Sequence, residues 1–116
     1  MRHRKATKSL GRKSQPRKAL LRSLLNALII KEKITTTVAK AKFVRPYAEK
    51  LVTKAKSSSG QATQRYLRTY VSDKSVKKLV KDLGPKYKDR NGGYTRITKY
   101  TTRQGDAAEQ AIIEFV

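Results

Sequence analysis

The first 31 residues carry ten lysines and arginines and no acid, because Glu32 is the first carboxylate of the chain. Charge of that density repels itself unless water or a polyanion surrounds it. Within residues 1–13, Leu10 is the only large aliphatic residue after Met1, so this part of the segment cannot bury a core of its own. We predict an extended basic arm over residues 1–13 and a single domain over residues 14–116. For the arm alone, a solvated tail is the competing interpretation.

The charge imbalance extends over the whole chain. There are 29 lysines and arginines against 8 acids, a formal net charge of +21. Only 37% of the 116 residues are apolar, which suits one modest core. Self-repulsion of this size predicts an anionic partner, either nucleic acid or an anionic membrane. No apolar run approaches the roughly 18 to 20 residues that cross a bilayer, so we expect no membrane association and favour nucleic acid.

The N-terminus is not typical of a secretory signal, because its basic residues lead into an amphipathic segment without a small-residue cleavage site. Its acid-free composition also has some likeness to an organelle transit peptide, so a bacterial or an organelle source stays open. The chain has no cysteine, which excludes disulfides and zinc–thiolate sites and is consistent with a reducing compartment. We expect a cytoplasmic protein that does not homo-oligomerise.

Apolar periodicity predicts about four helices. The first begins with Ser14 as a cap, has Pro16 in its first turn and runs to about Lys31. Its leucines share one arc of the helical wheel, which makes a core face backed by a basic face. The core arc contains Leu20, Leu21, Leu24, Leu25, Ala27 and Leu28, and the opposite face contains Arg22, Ser23 and Asn26.

A short β-branched strand, Ile34 to Thr37, separates the first helix from the second, which Thr37 can cap. Pro46 lies inside the second helix and predicts a kink, since the apolar stripe continues through it. That stripe consists of Ala41, Val44, Ala48, Leu51, Val52 and Ala55.

An exposed loop over residues 57–60 precedes a third helix from about Ala62 to Val71. Within it Ala62, Tyr66 and Tyr70 share one face, for which core packing is the favoured role. A fourth helix begins at Ser72 or Asp73 and ends at Gly84-Pro85. Its core face is Val76, Leu79, Val80 and Leu83, and its remaining face is Lys74, Lys77, Lys78 and Lys81.

The C-terminal third predicts a β-hairpin. Asn91-Gly92-Gly93 requires a turn, and the Thr-, Tyr- and Ile-rich segment from Tyr94 to Thr101 is typical of a strand. A second strand runs over residues 111–116, with Ile34 to Thr37 as a possible third. The predicted fold class is α+β, with about four helices packed on a small sheet.

The sequence offers little for catalysis. His3 is the only histidine, and the eight carboxylates are scattered rather than clustered as a metal ion requires. Gly92-Gly93 fits neither a phosphate-binding loop nor a dinucleotide fingerprint, so a turn before a strand is the favoured interpretation. We predict no catalytic residue, no metal and no cofactor.

Basic faces on the arm and on the first, second and fourth helices favour a polyphosphate partner. Each phosphate contact releases counterions, so binding should weaken steeply with salt. Tyr94 and Tyr100 could stack on unpaired bases or pack in the fold, and the sequence leaves both roles open. An RNA-binding protein is the favoured interpretation. The two alternatives are an architectural DNA-binding protein and a metal-dependent nuclease. The scatter of carboxylates disfavours the nuclease.

Several segments also resemble the bacterial large-subunit ribosomal protein seventeen family, in the same order from one end of the chain to the other. Together the opening triplet, the threonine run and the Gly-Gly-Tyr-Thr-Arg segment are quite specific. The matching segments are Met1-Arg2-His3 with Lys5, Leu10-Gly11-Arg12, Ile34-Thr35-Thr36-Thr37, Lys40-Ala41-Lys42, residues 45–51, residues 89–97, residues 105–108 and residues 112–114.

The resemblance implies an α+β fold and a structural protein that binds large-subunit ribosomal RNA near the polypeptide exit region. It implies neighbouring large-subunit ribosomal proteins as partners and no enzymatic activity. The family's RNA-facing residues fall on Arg2, His3, Lys5, Gly11, Arg12, Arg90, Gly92, Gly93, Tyr94 and Arg96. Charge patterning adds Arg4, Lys8, Lys13, Arg17, Arg22, Lys40, Lys42, Arg45 and Arg103 to the predicted RNA-binding set.

Overall fold

The computed structural model describes residues 13–58 and 60–116. It contains helices packed on a three-stranded sheet, which confirms the predicted α+β class. Apart from Lys13, the predicted arm lies outside the described residues. The elements are α1 Ser14–Lys31, β1 Lys33–Thr37, α2 Val38–Ser57, α3 Gln61–Arg68, α4 Asp73–Lys78, a π-helical segment Leu79–Leu83, α5 Gly84–Lys86, β2 Thr95–Thr102 and β3 Glu109–Phe115.

The sheet is antiparallel, with strand order β1-β3-β2. Ile113 of β3 lies between Ile34 of β1 and Ile97 of β2 and is fully buried. Alternate residues of β3 point toward the helices, as the twofold repeat of a strand requires, with Ala111 and Phe115 beside Ile113. The predicted hairpin and the third strand over Ile34 to Thr37 are both confirmed.

Helix α2 lies at the centre of the core. All six residues of its predicted apolar stripe are buried, and the helix continues through Pro46. The side chain of Thr37 accepts a hydrogen bond from the Lys40 backbone N–H at 3.3 Å, so Thr37 is the predicted cap. Phe43 is buried as well, although the sequence pattern did not include it in the stripe.

Helix α1 buries Leu21, Leu25, Leu28 and Ile29. The prediction that Ser14 caps this helix is wrong, because Ser14 is its first residue and the preceding residue makes no capping side-chain bond.

Asn26, predicted to lie on the face opposite the core leucines, contacts α4. Its Oδ1 accepts hydrogen bonds from the Ser72 backbone N–H at 3.0 Å and from the buried Ser75 hydroxyl at 2.8 Å. Ser72 is the N-cap residue of α4 and Ser75 lies in its first turn, where backbone N–H groups lack partners within the helix. Asn26 therefore joins the middle of α1 to the beginning of α4.

The fourth predicted helix does not stop at Gly84-Pro85, because helical structure continues to Lys86. The Gly84 N–H bonds to the carbonyl of Leu79, five residues earlier, as in a π-helix. Gly84 is buried, and a Cβ there would lie 3.2 Å from the Ala55 carbonyl oxygen of α2. The glycine thus permits close packing of two helices where a helix end was predicted.

Helix α3 ends at Arg68, and its buried residues are Thr63 and Leu67, followed by Val71. The predicted core role is wrong for Tyr66, whereas Tyr70 is partly buried and packs against the core. Tyr66 is 37% exposed and its ring lies 5.5 Å from that of half-buried Tyr70. The aliphatic residues at the next positions take the core, which leaves the tyrosine hydroxyls near water.

Candidate nucleic-acid interface

Among the residues that the structure describes, five of the predicted RNA-binding cations have free side chains. Within residues 13–58 and 60–116 these side chains make no ion pair or hydrogen bond, so they can be used for an external anion. The five residues are Lys13, Arg17, Arg22, Lys40 and Lys42.

A groove of about 620 Å³ lies between α1 and α2, and we refer to it as the α1–α2 groove. Arg17, Lys18 and Arg22 line its α1 side. Aromatic side chains of α2 and of the segment after α3 line the rest, and no acid is among the lining residues. Lys18 was not in the predicted set, although its spacing of four residues from Arg22 places both on one helix face.

A second groove, the α2–β2 groove, has a volume of about 470 Å³. Lys42 and Arg45 of α2 line it together with Lys99 of β2, and no carboxylate lines it. Lys99 was missed, since only the packing of β2 beside α2 brings it to this place. Pro46 also lines this groove. Helix α2 therefore contributes side chains to both basic grooves, and neither groove has an acid among its lining residues within residues 13–58 and 60–116.

Two predicted arginines are held by carboxylates of the C-terminal hairpin, one in β3 and one in the turn between β2 and β3. Arg96 binds Glu114 across the β2–β3 pair, with its Nη2 at 2.7 Å from Oε1. Arg103 binds Asp106 through two parallel hydrogen bonds of 3.1 and 2.5 Å. The Arg96 bond lowers the pKa of Glu114, and the Arg103 bond, with the Ala108 N–H, lowers the pKa of Asp106 to about 2.

Arg45 is paired more weakly, at 3.8 Å from Glu49. The same Glu49 oxygen accepts hydrogen bonds from the backbone N–H and the hydroxyl of Thr95, at 3.3 and 3.1 Å. The carboxylate is therefore mainly used to hold β2 against α2. The Arg45 guanidinium stays 45% exposed beside the α2–β2 groove.

The turn before β2 is attached to α2. Lys56 donates to the Arg90 carbonyl at 2.5 Å, and Arg90 donates from Nη1 to the Gly93 carbonyl at 3.3 Å. Gly92 and Gly93 have φ values of 81° and 64°, which other residues rarely adopt. These bonds hold the turn in one conformation, and the Arg90 side chain folds back onto the backbone of the turn.

Tyr94 and Tyr100, whose roles the sequence left undecided, lie in different environments. Tyr94 is 1% exposed and its ring lies 5.1 Å from that of Tyr87. The Tyr94 hydroxyl accepts a hydrogen bond from Thr53, which is the main cause of the lowered pKa of Tyr94. Its place in the core leaves no ring face for a base. Tyr100 is 63% exposed on β2.

The predicted basic face of the fourth helix includes one lysine that is used inside the fold. Lys78 is half-buried, and its ammonium binds the Ile30 carbonyl at 2.8 Å and Glu32 at 3.1 Å. It therefore joins α4 to the end of α1. Lys74, Lys77 and Lys81 are exposed, but a neighbouring groove on this helix includes Asp73.

The remaining predicted site residues are in the arm, outside the described residues. They are Arg2, His3, Arg4, Lys5, Lys8, Gly11 and Arg12. Among residues 13–58 and 60–116 no group of three or more histidines or carboxylates could hold a metal ion. None of the helices in that part of the chain has the length and apolar character needed to cross a bilayer.

Comparison with known proteins identifies the family. The family model described as ribosomal protein L17 matches residues 20–116. The chain belongs to the ribosomal protein L17 family. A relative from Dictyoglomus thermophilum, named large ribosomal subunit protein bL17, is 51% identical over 117 residues and both chains are covered completely.

Two further bL17 proteins have similar identity. The Campylobacter concisus protein is 47% identical over all 116 residues and 98% of its own length is covered. The Pelagibacter ubique protein is 48% identical, with 80% of its length covered. As a member of the L17 family, the chain is a structural, non-enzymatic protein of the large ribosomal subunit, acts in translation and belongs to the cytoplasm.

Proposed function

We propose that this chain binds folded large-subunit ribosomal RNA through the two grooves that flank α2 and through its basic arm. The observation that carries the proposal is the absence of acids from the linings of both grooves within residues 13–58 and 60–116. Of the arginines that line them, only Arg45 has a carboxylate partner, at 3.8 Å, whereas Arg96 and Arg103 are held by shorter ion pairs. Cations without an internal partner gain most from phosphate, because no existing pair has to be broken. The chain neutralises and positions RNA segments that would otherwise repel one another.

The turn has a supporting role in this proposal. Lys56 fixes the backbone of Arg90, and the positive φ values of Gly92 and Gly93 shape an exposed turn next to α2. A phosphate could meet the turn with little ordering cost, because the protein has already fixed its shape. Tyr94 supports the turn from the core rather than touching RNA with its ring.

For the arm, the proposal rests on sequence. Arginine can bridge phosphates with its planar fork and stack on bases, so Arg2, Arg4 and Arg12 should contribute more than neighbouring lysines. Reversing the charge of these three arginines should impair incorporation of the chain into large subunits. Unchanged incorporation would remove the arm from the proposed interface. Neighbouring large-subunit proteins are proposed as further partners.

The experiment is a binding titration of the full chain with protein-free large-subunit ribosomal RNA between about 50 and 200 mM salt. Some 6 to 10 phosphate contacts should give a steep fall in affinity, about 10³-fold or more over this range. The triple variant Arg17→Gln, Arg22→Gln and Lys42→Gln should bind more weakly and lower the salt slope by about three.

A matched control removes the same charge from α4, with Lys74→Gln, Lys77→Gln and Lys81→Gln. The groove beside this face includes Asp73, so we expect a smaller loss of affinity and a smaller change in slope. Equal losses in both triple variants would show that net charge, not the grooves, determines binding. An affinity that barely depends on salt would contradict the proposed function.

Competition with duplex DNA at matched salt separates the proposal from an architectural DNA-binding protein. Ribosomal RNA offers loops, bulges and A-form geometry that DNA lacks, so we expect RNA to compete better. Equal or better competition by duplex DNA would favour the DNA-binding alternative.

A further inference from the structure

We propose that the α1–α2 groove binds one unstacked nucleotide of the RNA, with the base against Tyr47 and Tyr70 and the phosphate on Arg17 and Arg22. This inference rests on the proposed function and adds the kind of RNA element recognised. It predicts that the chain distinguishes a flipped-out or loop nucleotide from a continuous duplex.

The first observation is the shape of the groove. Its volume of about 620 Å³ lies inside the range of roughly 300 to 1,000 Å³ found for small-ligand sites. The floor is apolar, with Leu21 and Phe43 buried beneath the opening. Half-buried Tyr47 packs with its ring centroid 5.8 Å from that of Phe43, which holds the tyrosine in place. A fixed aromatic ring is a suitable stacking surface for a base.

The second observation is how charge is distributed around this floor. Arg17, Lys18 and Arg22 of α1 all line the groove, and no acid lies among its lining residues within residues 13–58 and 60–116. Within residues 13–58 and 60–116 these three side chains form no ion pair. An aromatic floor beside unpaired cations matches a nucleotide, which has an apolar base face and an anionic phosphate.

The basic arm is a poor occupant of the same groove. Residues 1–12 include Arg2, Arg4, Lys5, Lys8 and Arg12 and no acid. Placing this segment against the cations of α1 would bring like charges together without a counterion. An acidic peptide of a neighbouring protein would satisfy the cations, but it would leave the aromatic floor without a stacking partner.

The test combines crosslinking and affinity, both with the full chain and protein-free large-subunit ribosomal RNA. Ultraviolet crosslinking followed by mass spectrometry should find a nucleotide attached to Tyr47 or Tyr70. Tyr47→Leu keeps an apolar side chain but removes the ring, and it should weaken RNA binding about tenfold with an unchanged salt slope. Arg22→Gln should instead lower the slope by about one.

Three controls separate binding from folding. Tyr47→Phe keeps the ring and should retain most of the wild-type affinity. Tyr100→Leu removes an exposed ring outside the groove and should cost less than Tyr47→Leu. Binding to a continuous RNA duplex should not change in Tyr47→Leu, whereas a variant that misfolds would lose affinity for both RNAs.

The outcomes distinguish this inference from the proposed function. If the wild-type chain binds ribosomal RNA with steep salt dependence, but Tyr47→Leu binds equally well and neither groove tyrosine crosslinks, the nucleotide site is overturned and the general function stands. A crosslink from Tyr47 to a neighbouring protein in assembled subunits would also overturn it. Failure of the wild-type chain to bind RNA would contradict the proposed function itself.

Discussion

Gly84 lies where the helical segment after α4 comes closest to α2. A Cβ at this position would be 3.0 Å from the Leu79 carbonyl oxygen and 3.2 Å from the Ala55 carbonyl oxygen. Both contacts are to backbone atoms of packed helices, which move less readily than the end of a flexible side chain. Alanine normally stabilises a helix interior by about 0.5 to 1 kcal/mol relative to glycine, and here the contact opposes that gain.

We therefore expect Gly84→Ala to lower the free energy of unfolding by about 1 to 2 kcal/mol, measured by urea denaturation. Gly60→Ala is the matched control, because its Cβ would meet only the Ser58 hydroxyl, at 3.5 Å. As a change at a helix cap, it should cost about 0.5 kcal/mol. A stabilised Gly84→Ala variant would show that the two helices separate without cost.

Asp106 provides a pH prediction at the residue scale. Its pKa falls from the usual 3.8 to about 2, chiefly through the hydrogen bond from Arg103. Because this carboxyl pKa is lowered in the folded chain, the Arg103–Asp106 pair stabilises the fold above about pH 4. That contribution is lost as pH falls through about 2. NMR titration of the Asp106 carboxyl should show that low value, and Arg103→Gln should raise it toward 3.8.

Arg96→Gln is the control for the Asp106 titration. It removes the partner of Glu114, whose lowered pKa should rise toward its ordinary value. The Asp106 titration should stay unchanged in this variant. If Arg103→Gln left the Asp106 titration unchanged, the Ala108 N–H rather than the guanidinium would be the main cause.

At the scale of elements, the contact between α1 and α4 depends on one amide. Asn26→Ala removes the acceptor for the Ser72 N–H and for the fully buried Ser75 hydroxyl. Buried donors without partners are costly, so we expect a loss of about 2 kcal/mol in the free energy of unfolding. Ser23→Ala, at an exposed position of α1, should change stability by less than about 0.5 kcal/mol. Equal effects of the two variants in urea denaturation would contradict the role assigned to Asn26.

Elements with strong periodicity were predicted correctly, and the errors lie where a neighbouring element changed the role of a residue. The six-residue stripe of α2 and the three strands were predicted because apolar spacing and β-branched runs are local signals. The end of the helix at Gly84-Pro85 was predicted wrongly, since the close approach of Ala55 is not visible in local sequence. The core role of Tyr66 was predicted wrongly because two periodic faces of α3 were available, and packing selected the one that contains Leu67.

At the scale of the whole molecule, net charge sets opposite salt dependences for stability and for RNA binding. A charge of +21 destabilises the compact free chain by self-repulsion. Raising sodium chloride from 0.1 to 1 M shortens the screening length from about 10 to about 3 Å. We therefore expect the thermal unfolding midpoint of the free chain to rise by several degrees, measured by circular dichroism.

Affinity for RNA should fall as the salt concentration rises, because added cations oppose counterion release. If salt lowered both the unfolding midpoint and the affinity, self-repulsion would not limit the stability of the free chain. A neutral osmolyte at matched osmolarity is the control, since it does not screen charge.

Local periodicity, composition and ordered motifs were sufficient to predict the α+β class, the confirmed strands, the basic character of the chain and the family resemblance. Only the tertiary structure decided which cations are free. Arg96 meets Glu114, 18 residues away, across paired strands, whereas Arg17 and Arg22 face the α1–α2 groove without a carboxylate. Local sequence cannot determine these roles, because the partner of a charged side chain is chosen by the packing of distant elements.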